Sequence, residues 1–159
     1  MIKAIYGDFA KGRAAWGLLV VRLVFGSALV LHGMQKIGSP FGWMGEGAPV
    51  PGFFQFLAFL SEFGGGLALI FGVASPLAAL GVAFTMFVAM ATAHAANPFV
   101  ATPGEPSKEL AATYFAFALL VLFNGPGKLS IDGLLFGREK AQEANAQKAS
   151  LTNATSASA

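Results

Sequence analysis

Residues 14–34 read AAWGLLVVRLVFGSALVLHGM, and this stretch decides the fold class. A helix needs about 20 mostly apolar residues to cross a bilayer, and this stretch has that length. Two more such stretches follow at 53–73 and 76–96, and a shorter one at 107–124 lies between Pro106 and the run Gly125-Pro126-Gly127. Proline and glycine give the fourth stretch clear ends. The sequence therefore predicts an all-α protein, a four-helix transmembrane bundle.

The composition excludes several classes of function. Of the 159 residues, 55% are hydrophobic, 11% are charged and none is cysteine. A soluble domain usually has about 25% charged residues, so a lipid membrane is the expected surrounding. A net charge of +2 is too small to indicate nucleic acid as a partner. Because there is no cysteine, disulfide exchange and thiolate catalysis are excluded, and redox chemistry would need a bound cofactor or a partner.

The charges predict an orientation in the membrane, which we expect to be a bacterial or archaeal plasma (inner) membrane. Membrane proteins keep Lys and Arg on the cytoplasmic side, so both termini are expected in the cytoplasm and the two long loops outside. We expect residues 1–13 to be a cytoplasmic segment, 14–138 a membrane domain that ends in a short interfacial segment, and 139–159 a disordered cytoplasmic tail. The cations on the side of the termini are Lys3, Lys11, Arg13, Lys128, Arg138, Lys140 and Lys148, against Lys36 and Lys108 on the other side.

Two ionisable residues, Arg22 and Glu62, lie inside the predicted spans and are the candidate catalytic residues. Such groups cost roughly 2.5–3.5 kcal/mol each on the insertion scale and need partners or a cavity. Counted from opposite sides, both fall near mid-membrane, so they are expected to pair. The alternative is a pair that only fixes the helix register. Helical spacing places one set of residues on a common face of each span, namely Arg22, Gly26, Leu29, Gly33 and Lys36 on the first and Gln55, Glu62, Gly66 and Leu69 on the second.

Further polar residues gather near the outer ends of the spans and form a candidate quinone or substrate site. A quinone head group needs an apolar slot, hydrogen-bond donors and a route for protons, which His, Arg and Glu inside a Phe-rich bundle can supply. The simpler interpretation is that Lys36 snorkels to the interface and the two His cap helix ends. The residues of this candidate site are His32, Lys36, Gln55, His94 and Glu109.

Two other cofactors are disfavoured at the same place. A haem between His32 and His94 would have only the minimum set of ligands. A metal held by these two His with Glu109 or Glu46 lacks any recognised ligand spacing, so no metal site is expected.

Taken in order, these residues resemble the DoxX family of small bacterial and archaeal membrane proteins. The resemblance covers about Leu18 to Asp132. It rests on Arg22, His32-Gly33 with Lys36, Glu62 with Gly64 and Gly65, Gly72, His94, and the run GPGKLSID at 125–132. It implies a four-helix integral membrane protein similar to the small subunit of a terminal quinol oxidase linked to thiosulfate:quinone oxidoreduction. We assign the final run to structure, with Ser130 or Asp132 capping the short apolar turn that follows.

The leading hypothesis is therefore a quinone-associated subunit of a membrane oxidoreductase complex, with protein partners in that complex. Whether the chain is itself an enzyme stays open, because its sequence contains no self-contained redox centre. The alternative is a non-catalytic scaffold that docks a larger enzyme complex. A solute transporter is disfavoured, because four spans without an inverted repeat are not a usual transporter architecture.

Overall fold

The computed structural model describes residue 6, residues 9–100 and residues 102–137, and in this part of the chain all regular structure is helical. The predicted all-α class is confirmed. The predicted tail at 139–159 lies outside the described residues, as does most of the segment before Phe9. The helices are α1 (Gly12–Met34), α2 (Gly52–Phe71), α3 (Ser75–Ala91), α4 (Glu109–Asn124) and α5 (131–137).

Two of these helices, α1 and α2, are long and apolar enough to cross a membrane, and α3 and α4 are apolar but shorter. The third helix ends earlier than the sequence suggests, at Ala91 rather than near Ala96. The reason is local. Thr92 leaves the helical conformation at φ −122° and ψ −80°, and its hydroxyl donates a hydrogen bond back to the Val88 carbonyl. His94 therefore lies in the turn after α3.

Glycines let α1 and α2 pack backbone to backbone. A Cβ atom on Gly33 would lie 2.6 Å from the Phe63 amide nitrogen, and one on Gly26 would lie 3.0 Å from the Gly66 carbonyl oxygen. Only glycine allows such an approach, as in other membrane helix pairs. The two contacts also show that α1 and α2 run antiparallel.

A tight turn joins α2 to α3, as predicted. Gly72 ends α2 in the left-handed conformation, with φ 68°, and Pro76 lies in the first turn of α3. The end of α4 returns to the same end of the bundle, because the Lys128 amide donates to the Ala10 carbonyl just before α1. We call this the inner end, and the end with the long loops the outer end.

Two charged side chains are almost completely buried, while many large apolar side chains are exposed. Arg22 and Asp132 are only 1% and 2% exposed, whereas Trp16, Phe84 and Phe123 are 63%, 64% and 79% exposed. A protein surrounded by water would expose the charges and bury the rings. The arrangement is that expected of helices with lipid around them.

Candidate functional site

Glu62 lies at the centre of an irregular turn of α2. Residues Leu60–Gly64 form a π-helix between the α-helical segments Gly52–Phe59 and Gly65–Phe71. Single π-turns inside α-helices occur frequently at functional sites. The Glu62 side chain points into the bundle and is 8% exposed.

The partner of Glu62 is Lys36, at the outer end of α1. The Lys36 ammonium donates to Glu62 Oε2 and forms a salt bridge with it. It also lies 4.7 Å from the centre of the Trp43 ring, which is a cation–π distance. Lys36 therefore joins the buried carboxylate to the first outer loop.

Gln55 fixes that loop on the first turn of α2. The Trp43 indole nitrogen donates to the Gln55 backbone carbonyl at 3.0 Å, and the Met44 amide donates to Gln55 Oε1 at 3.0 Å. Gln55 Nε2 in turn donates to the Val50 carbonyl at 2.8 Å. Since Gln55 is only 4% exposed, these bonds form in a low-dielectric place where they are strong.

The loop, α2 and α3 line a partly open cavity of about 350 Å³, which we call the outer cavity. Its size is that of a small-molecule site, and its wall is mostly apolar with a few polar groups. The carboxylate of Glu62 and the ring of Trp43 can offer a hydrogen-bond acceptor and a flat surface to a ligand there. Its lining includes Trp43, Met44, Val50, Phe54, Gln55, Leu57, Ala58, Glu62, Phe84, Thr85, Val88, Ala89 and Thr92.

Comparison with known proteins places the chain in a family. The family model named DoxX matches residues 17–95. The inner membrane protein YqjF of Escherichia coli (strain K12) is 36% identical over 126 residues, which cover 75% of this chain and 92% of YqjF. The chain belongs to the DoxX family. No solved structure matches it.

In this DoxX protein the predicted pair of Arg22 with Glu62 does not form, and that expectation was wrong. Arg22 Nη1 donates to the Pro126 carbonyl at 2.6 Å and Nη2 to the Leu129 carbonyl at 2.8 Å. The pair fails because Arg22 and Glu62 lie at different depths in the bundle. Gly33 is level with Phe63 while Arg22 is level with Gly72, so about 15 Å of helix separates the two charges at 1.5 Å per residue.

Asp132 is the charged residue that accompanies Arg22 at the inner end. Its carboxylate accepts hydrogen bonds from the Ala74 and Ser75 amides at 2.9 and 2.8 Å, and its charge acts on Arg22. Burial raises the pKa of the Tyr6 hydroxyl, and the neighbouring Asp132 carboxylate raises that pKa further. Arg22, Asp132 and the turn after α4 thus form one structural cluster, which we call the inner cluster.

Of the two caps considered for the helix after the run GPGKLSID, Ser130 is the one that forms. Ser130 Oγ accepts from the Gly133 amide at 2.9 Å and so caps α5, as predicted. Asp132 instead caps α3, a helix that begins 57 residues earlier in the chain. The sequence singled out Asp132 but contains no signal for its partner, since the contact is long-range.

The remaining predicted site residues do not line the outer cavity. The half-buried His32 packs edge-on against the Tyr114 ring at 5.8 Å, and His94 Nδ1 is 3.1 Å from Asn97 Nδ2. Glu109 is exposed at the start of α4. Within the described part of the chain no three His, Asp or Glu side chains converge, so the metal set considered from the sequence is not assembled.

Tyr114 is an additional residue near the candidate site that the sequence did not reveal. It is 5% exposed, packs edge-on against Phe25 as well as His32, and interacts electrostatically with Glu62. A lone Tyr in an apolar helix has no motif to mark it. Only the packing of α4 against the rest of the bundle brings it near the carboxylate.

Proposed function

We propose that this DoxX protein spans the bacterial inner membrane four times, with both termini in the cytoplasm, and binds a quinone head group in its outer cavity. In this role it is a subunit of a membrane oxidoreductase complex. The observation that carries the proposal is the buried Glu62 carboxylate, which lies on a π-turn, pairs with Lys36 and lines an apolar cavity.

The charges around the cavity favour an uncharged ligand. Lys36 and Glu62 compensate each other, so a further charge would enter an apolar cavity without a partner, which is costly. A quinone or quinol head is neutral, flat and equipped with oxygen atoms. The Trp43 ring offers it a flat wall, and Glu62 Oε1 is the carboxylate oxygen that the Lys36 hydrogen bond leaves available.

Glu62 is suited to move a proton at this place. A bound quinone supplies reversible two-electron chemistry, in which its oxygen atoms gain or lose protons. Glu62 would accept a proton from a ligand hydroxyl through Oε1, while the Lys36 ammonium stays hydrogen-bonded to Oε2. Partner chains would supply the electron donor or acceptor, since the chain has no cysteine to ligate an iron–sulfur cluster.

Fluorescence of Trp43 tests this binding directly. The chain has two Trp, so a Trp16→Phe variant leaves Trp43, on the cavity wall, as the one indole. A tail-less benzoquinol should quench its emission saturably. Glu62→Gln in this background should weaken quinol binding about tenfold, because a hydrogen bond to a charged acceptor becomes a neutral one.

A matched control is Glu46→Gln, which neutralises an exposed carboxylate of the same loop and should leave the affinity unchanged. Absence of saturable quenching in the Trp16→Phe protein would refute the proposed site. The same affinity in Glu62→Gln would refute the role of the carboxylate. The scaffold hypothesis would then be favoured.

A further inference from the structure

We propose that the groove between α2 and α3 holds the hydrocarbon tail of the ligand whose head lies in the outer cavity. This inference rests on the proposed function and specifies its ligand class, an isoprenoid-tailed quinone. The groove, which we call the tail groove, has a volume of about 560 Å³ and runs along the outside of the helix pair.

The tail groove continues the outer cavity. Leu57, Phe84 and Thr85 line both, so the two volumes meet at these three side chains. A ligand with its head beside Glu62 can therefore leave the cavity along the helix surface without crossing the protein core. Such a path fits a molecule with one polar end and one long apolar end.

Small residues create the tail groove. Gly64 and Gly65 on α2 face Ala78 and Gly81 on α3, and the missing side chains leave a slot between helices that otherwise carry large apolar groups. Ser61 also lines the slot.

The head cavity decides between this ligand and a phospholipid, whose chains could also fill the slot. A phospholipid would bring a phosphate anion to a wall that already carries the Glu62 carboxylate, and Lys36 is already paired with that carboxylate. Like charges at short range repel strongly in an apolar surrounding. A neutral quinone head avoids this repulsion.

Substitution of Gly81 separates tail binding from head binding. A Cβ atom there would have only the Ser61 hydroxyl near it, at 3.8 Å, so a larger side chain can enter the slot without striking the backbone. We would measure Trp43 quenching in nanodiscs for a tail-less benzoquinol and for the same head with an isoprenoid tail. In the Trp16→Phe protein the tailed quinol should bind at least tenfold more tightly, and Gly81→Leu should abolish that advantage while changing tail-less binding less than twofold.

The control is Gly17→Leu, on an exposed face of α1 with no atom within 4 Å of its Cβ position, which should change neither affinity. Undiminished binding of the tailed quinol to Gly81→Leu would overturn the tail groove and leave the proposed function standing. A tail that adds no affinity would have the same meaning. Binding of neither quinol to the Trp16→Phe protein would overturn both proposals. Displacement of the tailed quinol by an anionic phospholipid at equal mole fraction would assign the tail groove to lipid and overturn the inference.

Discussion

At the scale of single residues, Lys36 and Glu62 form a mostly buried salt bridge at the outer end of the bundle. The two side chains are 13% and 10% exposed, so each charge has lost most of its water and depends on the other. Removing one partner of such a pair leaves an uncompensated charge, whereas removing both can be almost neutral. Substitutions of Lys36 and Glu62 should therefore have strongly non-additive effects on the free energy of unfolding and on ligand affinity.

A double-mutant cycle measures this coupling. We expect Lys36→Met to lower the free energy of unfolding in detergent by about 3 kcal/mol, the low end for a buried pair because both side chains keep slight exposure. The combination of Lys36→Met with Glu62→Gln should cost less than the sum of the single changes. Lys128→Met, at an exposed position, is the control and should have little effect. Strictly additive losses would mean that the two charges do not stabilise each other.

At the scale of elements, α3 depends on a cap from a distant part of the chain. Its first residues have no side-chain cap of their own, and Ala74 before it adopts a left-handed conformation with φ 46°. The two amides that open the helix donate instead to Asp132. The segment between α4 and Asp132 accepts the hydrogen bonds of Arg22 through its Pro126 and Leu129 carbonyls. The inner cluster therefore links α1, α3 and the end of α4.

Loss of this cap should destabilise the fold. Asp132→Ala is expected to lower the free energy of unfolding by about 2 kcal/mol, the upper end for a cap, because the carboxylate is buried and bonds two amides. Asp132→Asn keeps one acceptor oxygen and should give an intermediate loss. Glu105→Ala, in the exposed second long loop, should change the value by less than about 0.5 kcal/mol. An equal loss in Asp132→Ala and Glu105→Ala would contradict the capping role.

At the scale of the whole molecule, the helices place two loops at the outer end and the start of α1, the α2–α3 turn and the end of α4 at the inner end. The positive residues Lys11, Arg13 and Lys128 lie at the inner end, and the orientation proposed from these charges puts that end in the cytoplasm. Because the natural chain has no cysteine, single cysteines can report this orientation without any background.

Labelling of intact cells with a membrane-impermeant maleimide tests the four-span topology. A cysteine at the exposed loop positions Ser39 or Glu105 should react once the outer membrane is opened. A Lys128→Cys variant should react only after the inner membrane is disrupted. Reaction of Lys128→Cys in intact spheroplasts would refute cytoplasmic termini, and opposite behaviour of Ser39→Cys and Glu105→Cys would refute the even number of spans.

The sequence by itself determined the helices and the faces that they bury. Hydropathy and spacing located α1 to α4, and the residues assigned to one face of each of the first two spans are buried except Lys36, which is half-buried. These properties follow from neighbours along one helix, where 3.6 residues per turn fix which side chains lie together. The absence of cysteine from the sequence also excluded disulfide exchange and thiolate catalysis.

Only the tertiary structure decided which buried charges meet. Arg22 and Glu62 seemed level because each was counted from its own end of a span, but α1 continues well past the α2–α3 turn and places Arg22 beside the segment after α4. Glu62 meets Lys36 instead. The axial offset between two helices depends on where glycine allows their backbones to touch and on long-range hydrogen bonds such as those of Asp132. The spacing of residues along a single helix determines neither of these.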